Sequence, residues 1–265
     1  MFKQTPSQTV GPFFHFGLLT GDENVLVNQL THGERIYIRG QVWDGAAQPV
    51  PDALVEIWHC NENGEYDNTS DNYVYRASAK TSADGKYHFK TILPVPYAVS
   101  GTLTRPAHIH MRISAIGVQD LVTQVYFKGD KHISEDSSSS DPKSLNRILD
   151  ISSNDKKVKV VKFDVYLREE YVLEAAAFKK ISGLYQMNDK SMVEFYKDGD
   201  QLFAKINGQI MEALDYKGNN SFEGGLGFVK SQFEILANGG IKVKVSYLGD
   251  DKKWIEIDGT KTLKY

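Results

Sequence analysis

Between Arg35 and Trp43 (RIYIRGQVW) apolar and polar residues alternate over most of the run, the period-two pattern of a strand with one face buried. Asp44 and Gly45 then supply turn residues. The same alternation recurs in Ala53–Trp58 (ALVEIW), Lys86–Lys90 (KYHFK), His108–Ile113 (HIHMRI) and Leu121–Phe127 (LVTQVYF), with Asp84-Gly85 and Gly129-Asp130 as turn markers. Val158–Leu167 (VKVVKFDVYL) reads as a strong final strand. This spacing predicts an all-β fold, an antiparallel β-sandwich over residues 1–168. Ser134–Ser144 (SEDSSSSDPKS) is polar and serine-rich, and reads as a solvated surface loop with no assigned role.

Composition changes after the last strand. Glu169–Lys180 (EEYVLEAAAFKK) is alanine-rich and favours helix, which makes 169–180 a linker of helical tendency and a domain boundary. From Ile181 to Tyr265 short β-type runs are separated by Asp198-Gly199, Asn207-Gly208, Gly224-Gly225, Asn238-Gly239-Gly240 and Asp258-Gly259. That hairpin series predicts a small all-β barrel or meander over 181–265. It contains no histidine and no cysteine, so structural or binding roles outweigh catalysis there, and its many aromatic residues are expected mostly in its own core.

The chain has 265 residues, of which 41% are hydrophobic and 25% charged, an ordinary globular balance. Thirty-one basic and 34 acidic side chains leave a net charge of -3, with no cationic field to draw in nucleic acid or anionic lipid. No apolar run approaches the length a bilayer-spanning helix needs, and Gly11–Leu19, which contains His15, lacks the pattern of a secretion signal. A single cysteine, Cys60, excludes an intramolecular disulfide framework and any multi-cysteine zinc site. A cytoplasmic location is expected.

Candidate chemistry concentrates in Thr104–Arg112 (TRPAHIHMR). On a strand, His108 and His110 share a face about 6.5 to 7 Å apart, close enough to converge on one metal ion, although two hydrogen-bonded or exposed histidines would give the same spelling. Two tyrosines stand nearby in sequence: Tyr66, after the strand ALVEIWHCNEN, and Tyr97, at a loop following Leu93-Pro94-Val95-Pro96. A phenol, with a pKa near 10, ionises readily only beside a strong Lewis acid, and its hard anionic oxygen favours a trivalent ion, which points to iron(III). Among 14 tyrosines, however, either one alone is more often a core or surface filler.

The order of segments removes that ambiguity. TPSQTVGPFFHFGLL, GQVWDGAAQPVPDALVEIWHCNENGEYDN, DGKYHFKTILPVPY, RPAHIHMRI and LVTQVYFKGD together resemble the intradiol ring-cleavage dioxygenases, especially the protocatechuate 3,4-dioxygenase branch, from Thr5 to about Leu167. The resemblance implies a non-haem Fe(III) site held by Tyr66, Tyr97, His108 and His110. It further implies that Arg105 stabilises negative charge on the substrate ring, that Gln124 orients Arg105, and that Tyr97 is the tyrosine displaced when substrate binds. The implied reaction uses O2 to cleave a small aromatic diol between its hydroxyl-bearing carbons, giving a cis,cis-muconate-type product.

Departures from the pattern bear on substrate. Ala77, Ser78, Lys80 and Ser82 stand where many members show a Gly-Arg pair, another arginine and an aspartate, and Ala98 and Val99 follow Tyr97 where proline and tryptophan are frequent. These small residues imply a wider pocket and a substituted catechol as readily as protocatechuate. Thr9, in the TPSQT segment, is a candidate pocket residue, with a purely structural N-terminal arm as the equal alternative, and a homo-oligomer is in keeping with the resemblance. The rival expectation is a non-enzymatic transthyretin-like or carboxypeptidase-regulatory-like binding module, which shares the strand pattern around GQVWDGAAQPVPDALVEIW but needs no metal.

Overall fold

The computed structural model describes residues 4–14, 25–26, 32–68, 74–100, 103–153, 158–168, 175–249 and 252–262. The chain forms two compact units, one of Met1–Pro6 with His15–Glu169 and one of Ser7–Phe14 with Glu170–Tyr265. No helix among the described residues is long and apolar enough to cross a membrane.

Among the described residues, twelve strands build the first unit: β1 (Arg35–Trp43), β2 (Leu54–Trp58), β3 (Arg76–Lys80), β4 (Lys86–Ile92), β5 (Tyr97–Ser100), β6 (Leu103–Arg105), β7 (His108–Ser114), β8 (Leu121–Phe127), β9 (Ile148–Leu149), β10 (Ile151–Ser153), β11 (Lys159–Lys162) and β12 (Val165–Tyr166). One sheet runs β10-β11-β1-β12 with β4 on the other edge of β1, a second runs β3-β2-β7-β8-β9, and β5-β6 form a separate hairpin. The two sheets share one apolar core, in which Ile36, Ile38 and Phe89 of the first join Val55, Ile57, Ile109 and Met111 of the second. Because side chains alternate along a strand, burying Ile109, Met111 and Ile113 turns His108 and His110 to the opposite face. Adjacent pairs such as β1–β4, β2–β7 and β7–β8 are antiparallel, as expected, whereas β11 and β12 run parallel to β1, and β9 parallel to β8.

Two readings of the sequence need correction. Val158–Leu167 is not one strand. It pairs with β1 as β11 and β12, broken at Phe163–Asp164, where Asp164 Oδ1 accepts from the Gln41 amide and the Phe163 carbonyl accepts from Tyr87. The break depends on Gly40, since a Cβ there would fall 1.6 Å from the Phe163 oxygen. Nor is Ser134–Ser144 simply solvated. It forms a short helix, Ser137–Ser140, and leads into a 3-10 turn, Pro142–Arg147, with Asp136, Ser139, Ser144 and Arg147 all buried. Asp136 caps the first by accepting from the Ser139 amide, and Asp141 caps the second through Lys143, so polar side chains are consumed by local backbone rather than by water.

The second unit is an eight-stranded closed barrel of consecutive antiparallel strands, β13 (Gly183–Met187), β14 (Met192–Asp198), β15 (Gln201–Ile206), β16 (Gln209–Gly218), β17 (Ser221–Gly224), β18 (Val229–Ile235), β19 (Ile241–Leu248) and β20 (Trp254–Lys261), with β20 returning to β13. Asn207-Gly208 joins β15 to β16 with both residues at positive φ, as a two-residue hairpin turn requires. Tyr185, Phe195, Phe222 and Phe233 pack edge to face inside, and Phe178 and Ile181 of the helix Ala175–Ile181 join the same core. The interior is filled, as the aromatic count implied, although Trp254 lies half exposed. Of the helix-favouring segment Glu169–Lys180, residues 169–174 lie outside the described residues.

Candidate active site

Each member of the tyrosine–histidine set is aimed by a local device. After β2 the chain turns at Asn61–Glu65, where Asn61 Oδ1 accepts from the amides of Asn63 and Glu65, and this side-chain-built turn presents Tyr66. Gly64, at φ +83°, sits against Tyr97, and a Cβ on it would lie 2.8 Å from the Tyr97 Cβ. Tyr97, expected in a loop, instead heads β5 and pairs across the hairpin with Arg105 of β6. Pro106 ends β6, and its carbonyl accepts from His108 Nδ1 at 2.7 Å. That hydrogen bond fixes the tautomer, leaving the lone pair of His108 Nε2 directed toward the phenols.

The four side chains converge. His108 Nε2 lies 3.3 Å from Tyr66 Oη and 3.5 Å from Tyr97 Oη. The two imidazole rings are 4.9 Å apart, the two phenol rings 5.7 Å, and Tyr66 approaches His110 at 6.1 Å. His110 stacks on Trp58 at 5.0 Å, its cross-strand partner in β2, which holds the ring while its buried Nδ1 has no hydrogen-bond partner among the described residues. Both histidines are 1% exposed, and burial pushes their pKa values well below the ordinary one, so both rings are neutral and able to donate a lone pair. Burial also raises the pKa of Tyr66 and Tyr97, while the Arg105 charge and a hydrogen bond with Tyr66 act in the opposite direction on Tyr97. Among the described residues no group of three His, Cys, Asp or Glu side chains converges, so phenol oxygens make up half of this donor set.

Beside the cluster, Arg105 Nη2 donates to Gln124 Oε1 at 2.9 Å, and Tyr126 Oη donates to the same oxygen at 3.1 Å. Gln124 is the cross-strand neighbour of His110 in β8, which is why a glutamine there reaches the site. Desolvation works against the Arg105 charge, but the surrounding Tyr126, Asp136, Tyr97 and Tyr66 outweigh it and raise its pKa. The structure thus brings together six of the seven residues singled out from the sequence. The seventh, Thr9, belongs to the barrel unit, where it hydrogen-bonds Glu212.

Two further residues were not found by reading the sequence. Asp136 Oδ1 lies 3.4 Å from Arg105 Nε. Arg147, fully buried, donates to the Gln124 carbonyl at 3.3 Å and to Ser144 Oγ at 2.6 Å. The available signal was helix capping, since Asp136 and the Asp141-Pro142 pair both spell N-termini inside the serine-rich stretch.

Sandwich and cluster define a class, a β-sheet scaffold carrying a mixed phenol–imidazole site with an adjoining guanidinium. A sequence model described as dioxygenase matches residues 10–169, and the chain belongs to the intradiol dioxygenase family. Chlorocatechol 1,2-dioxygenase of Rhodococcus opacus is 36% identical over 156 residues, which cover 51% of this chain and 61% of that protein. Catechol 1,2-dioxygenase 2 of Acinetobacter lwoffii is 34% identical over 149 residues, covering 50% of this chain and 54% of the relative. The chain therefore spans less than two thirds of the length of either. Among solved structures, the dioxygenase domain of a dioxygenase–carbohydrate-binding fusion from Streptomyces sp. SirexAA-E superposes with a TM-score of 0.54 at 28% identity, over 63% of this chain and 100% of that one.

Proposed function

We propose that this chain is a non-haem iron(III)-dependent intradiol dioxygenase, cleaving a catechol-type aromatic between its hydroxyl-bearing carbons with O2 to a cis,cis-muconate-type product. The observation that carries the reading is the approach of both phenol oxygens to His108 Nε2, at 3.3 and 3.5 Å, beside a second neutral imidazole. Two hard anionic oxygens and two neutral nitrogens suit a trivalent ion, and the orphaned Nδ1 of His110 marks a ring whose polar edge is not satisfied by protein alone. Tyr66, Tyr97, His108 and His110 would hold the ion. When bound, iron(III) supplies Lewis acidity toward the diol and the electronic coupling that lets dioxygen attack the ring.

The remaining work falls to protein groups. A catechol must shed its hydroxyl protons; burial raises the Tyr97 pKa while Arg105 and Tyr66 oppose it, so Tyr97 Oη, once its proton is displaced by the metal, would be the group to take one. Arg105 places a fixed positive charge where negative charge would build on the ring, and burial strengthens that charge relative to one in water. Gln124 holds the guanidinium plane from one side. Val99 is 56% exposed and Ala98 is exposed, so the residues following Tyr97 offer little bulk against a substituted ring. We assign substituted catechols to the site on that basis, in keeping with the catechol and chlorocatechol for which the relatives are named. A reducing cytoplasmic setting accords with the one cysteine, Cys60, free and buried.

Iron-loaded protein tests the reading directly. A broad visible tyrosinate-to-iron absorption and oxygen uptake across catechol, chlorocatechol and protocatechuate are expected, with both lost in Tyr66→Phe and His108→Ala. A colourless protein after iron loading refutes the reading and favours a binding module.

A further inference from the structure

We infer that Asp136, carried by the serine-rich segment, is a positioning residue that sets the orientation of Arg105. The inference rests on the proposed dioxygenase reading and deepens it. Arg105 is a five-donor planar fork, and catalysis by charge placement depends on where that plane points. One edge is fixed by Gln124 Oε1 at 2.9 Å from Nη2. Tyr97, which also hydrogen-bonds Arg105, is the tyrosine expected to be displaced by substrate, and Gln124 alone would leave the plane free to rotate about the last side-chain torsion. Asp136 Oδ1, 3.4 Å from Nε, supplies a second point of attachment. Two points on a rigid planar group determine its orientation.

The geometry of Asp136 is itself over-determined. Its Oδ2 accepts from the Ser139 amide at 2.9 Å, so one oxygen caps the Ser137–Ser140 helix while the other faces the guanidinium. Ser139 Oγ donates to the Ile133 carbonyl, and Asp130, at the start of the same excursion, accepts from the Ala107 amide between Arg105 and His108. The 3-10 turn continues the support beneath Gln124, because Arg147 bridges Ser144 Oγ and the Gln124 carbonyl. Gln124 and Asp136 are thus both held by one stretch, residues 136–147. Side-chain exposures of 15% for Arg105 and 6% for Asp136 put this ion pair in a partly dehydrated setting, where it is far less screened than a surface pair.

Asp136→Asn separates positioning from folding. Asparagine is as good an N-cap as aspartate, so the helix persists while the charge opposite Nε is removed. Asp136→Ser, which also caps, is the second variant. In metal-free protein, the Arg105 Nε–H resonance, assigned by its loss in Arg105→Lys, is expected to shift and to exchange faster with water in both variants. In iron-loaded protein we expect the same metal content and visible band as wild type, with kcat lowered on the order of 10- to 100-fold and little change in KM for the diol. An unmoved Arg105 resonance, or kcat within about twofold of wild type in both variants, overturns the inference. Failure of the wild-type protein itself to cleave any catechol instead overturns the reading beneath it, with the resonance still reporting the ion pair.

Discussion

Glu212 offers a quantitative test of the barrel. On β16, its carboxyl accepts a hydrogen bond from Thr9, while Oε2 is buried without a partner against the Gly224 backbone. Burial pushes its pKa up from 4.5 to about 8. The sign follows from linkage. The folded state binds its proton more tightly than the unfolded one, so the contribution to stability is fully present below pH 4.5 and is lost as pH rises toward 8. Taken at full size, a rise from 4.5 to about 8 corresponds to ~5 kcal/mol. The residue as a whole is only partly buried, so water screens the carboxylate, and ~2 kcal/mol is the expected loss above pH 8. Glu212→Gln keeps an oxygen to accept from Thr9 and cannot ionise. It should match wild type near pH 4.5, diverge through neutrality, and be more stable by ~2 kcal/mol at pH 9. Urea titrations of 5-fluorotryptophan-labelled protein provide the assay, because the 19F signal of Trp254 reports the barrel separately from Trp43 and Trp58 in the sandwich. Midpoints that differ by the same amount at pH 5 and pH 9, or not at all, refute the argument.

Two other substitutions probe the sandwich. Gly64→Ala combines a strained left-handed backbone with a contact 2.8 Å from the Tyr97 Cβ, so Tyr97 must move; iron-loaded protein is expected to show a displaced visible band and weaker iron retention on dialysis, and an unchanged band would show that the turn yields instead. Arg112→Ala leaves Glu56 and Asp120, at 3.8 and 3.0 Å from the guanidinium, as buried carboxylates without their counter-charge, and should cost roughly 3–5 kcal/mol in urea unfolding followed by the Trp58 signal, with a loss below about 1 kcal/mol refuting the role.

How far the sequence discloses this protein depends on which interaction sets each element. β1, buried on one face, was legible and begins and ends where the alternation does; β8, buried throughout, has the predicted bounds, and β7 carries both histidines on one face because Ile109, Met111 and Ile113 go inward. The hairpin β5–β6 was not legible. Pro94 and Pro96 mark a break before Tyr97, and the short run after it faces no large apolar core, so nothing in its periodicity announces a strand. Pairing beyond the next strand was hidden for a related reason. Each Gly-containing turn fixes a local hairpin in the second unit, but closure of β20 onto β13 depends on total strand count and tilt, which no local signal encodes. The split of the last sandwich strand turned on one close approach, of Gly40 to the Phe163 carbonyl, invisible until the two chains are side by side.

The serine-rich segment marks the deeper boundary. Hydropathy reports the cost of removing a side chain from water when nothing replaces the water, and by that measure Ser134–Ser144 belongs outside. Here something does replace it: Asp136 meets Arg105 and the Ser139 amide, Ser144 meets Arg147, and Arg147 meets Gln124, so these buried groups compensate one another, with Arg147 Nε left over. Such compensation is a property of pairs separated by up to 31 positions, as Asp136 is from Arg105, and neither member carries the information alone. Histidines announce themselves by unusual type and spacing, as His108 and His110 do. The residues that hold Arg105 and Gln124 in place are ordinary serines, aspartates and arginines whose role is set by partners, and they lie in the stretch whose composition argued for solvent.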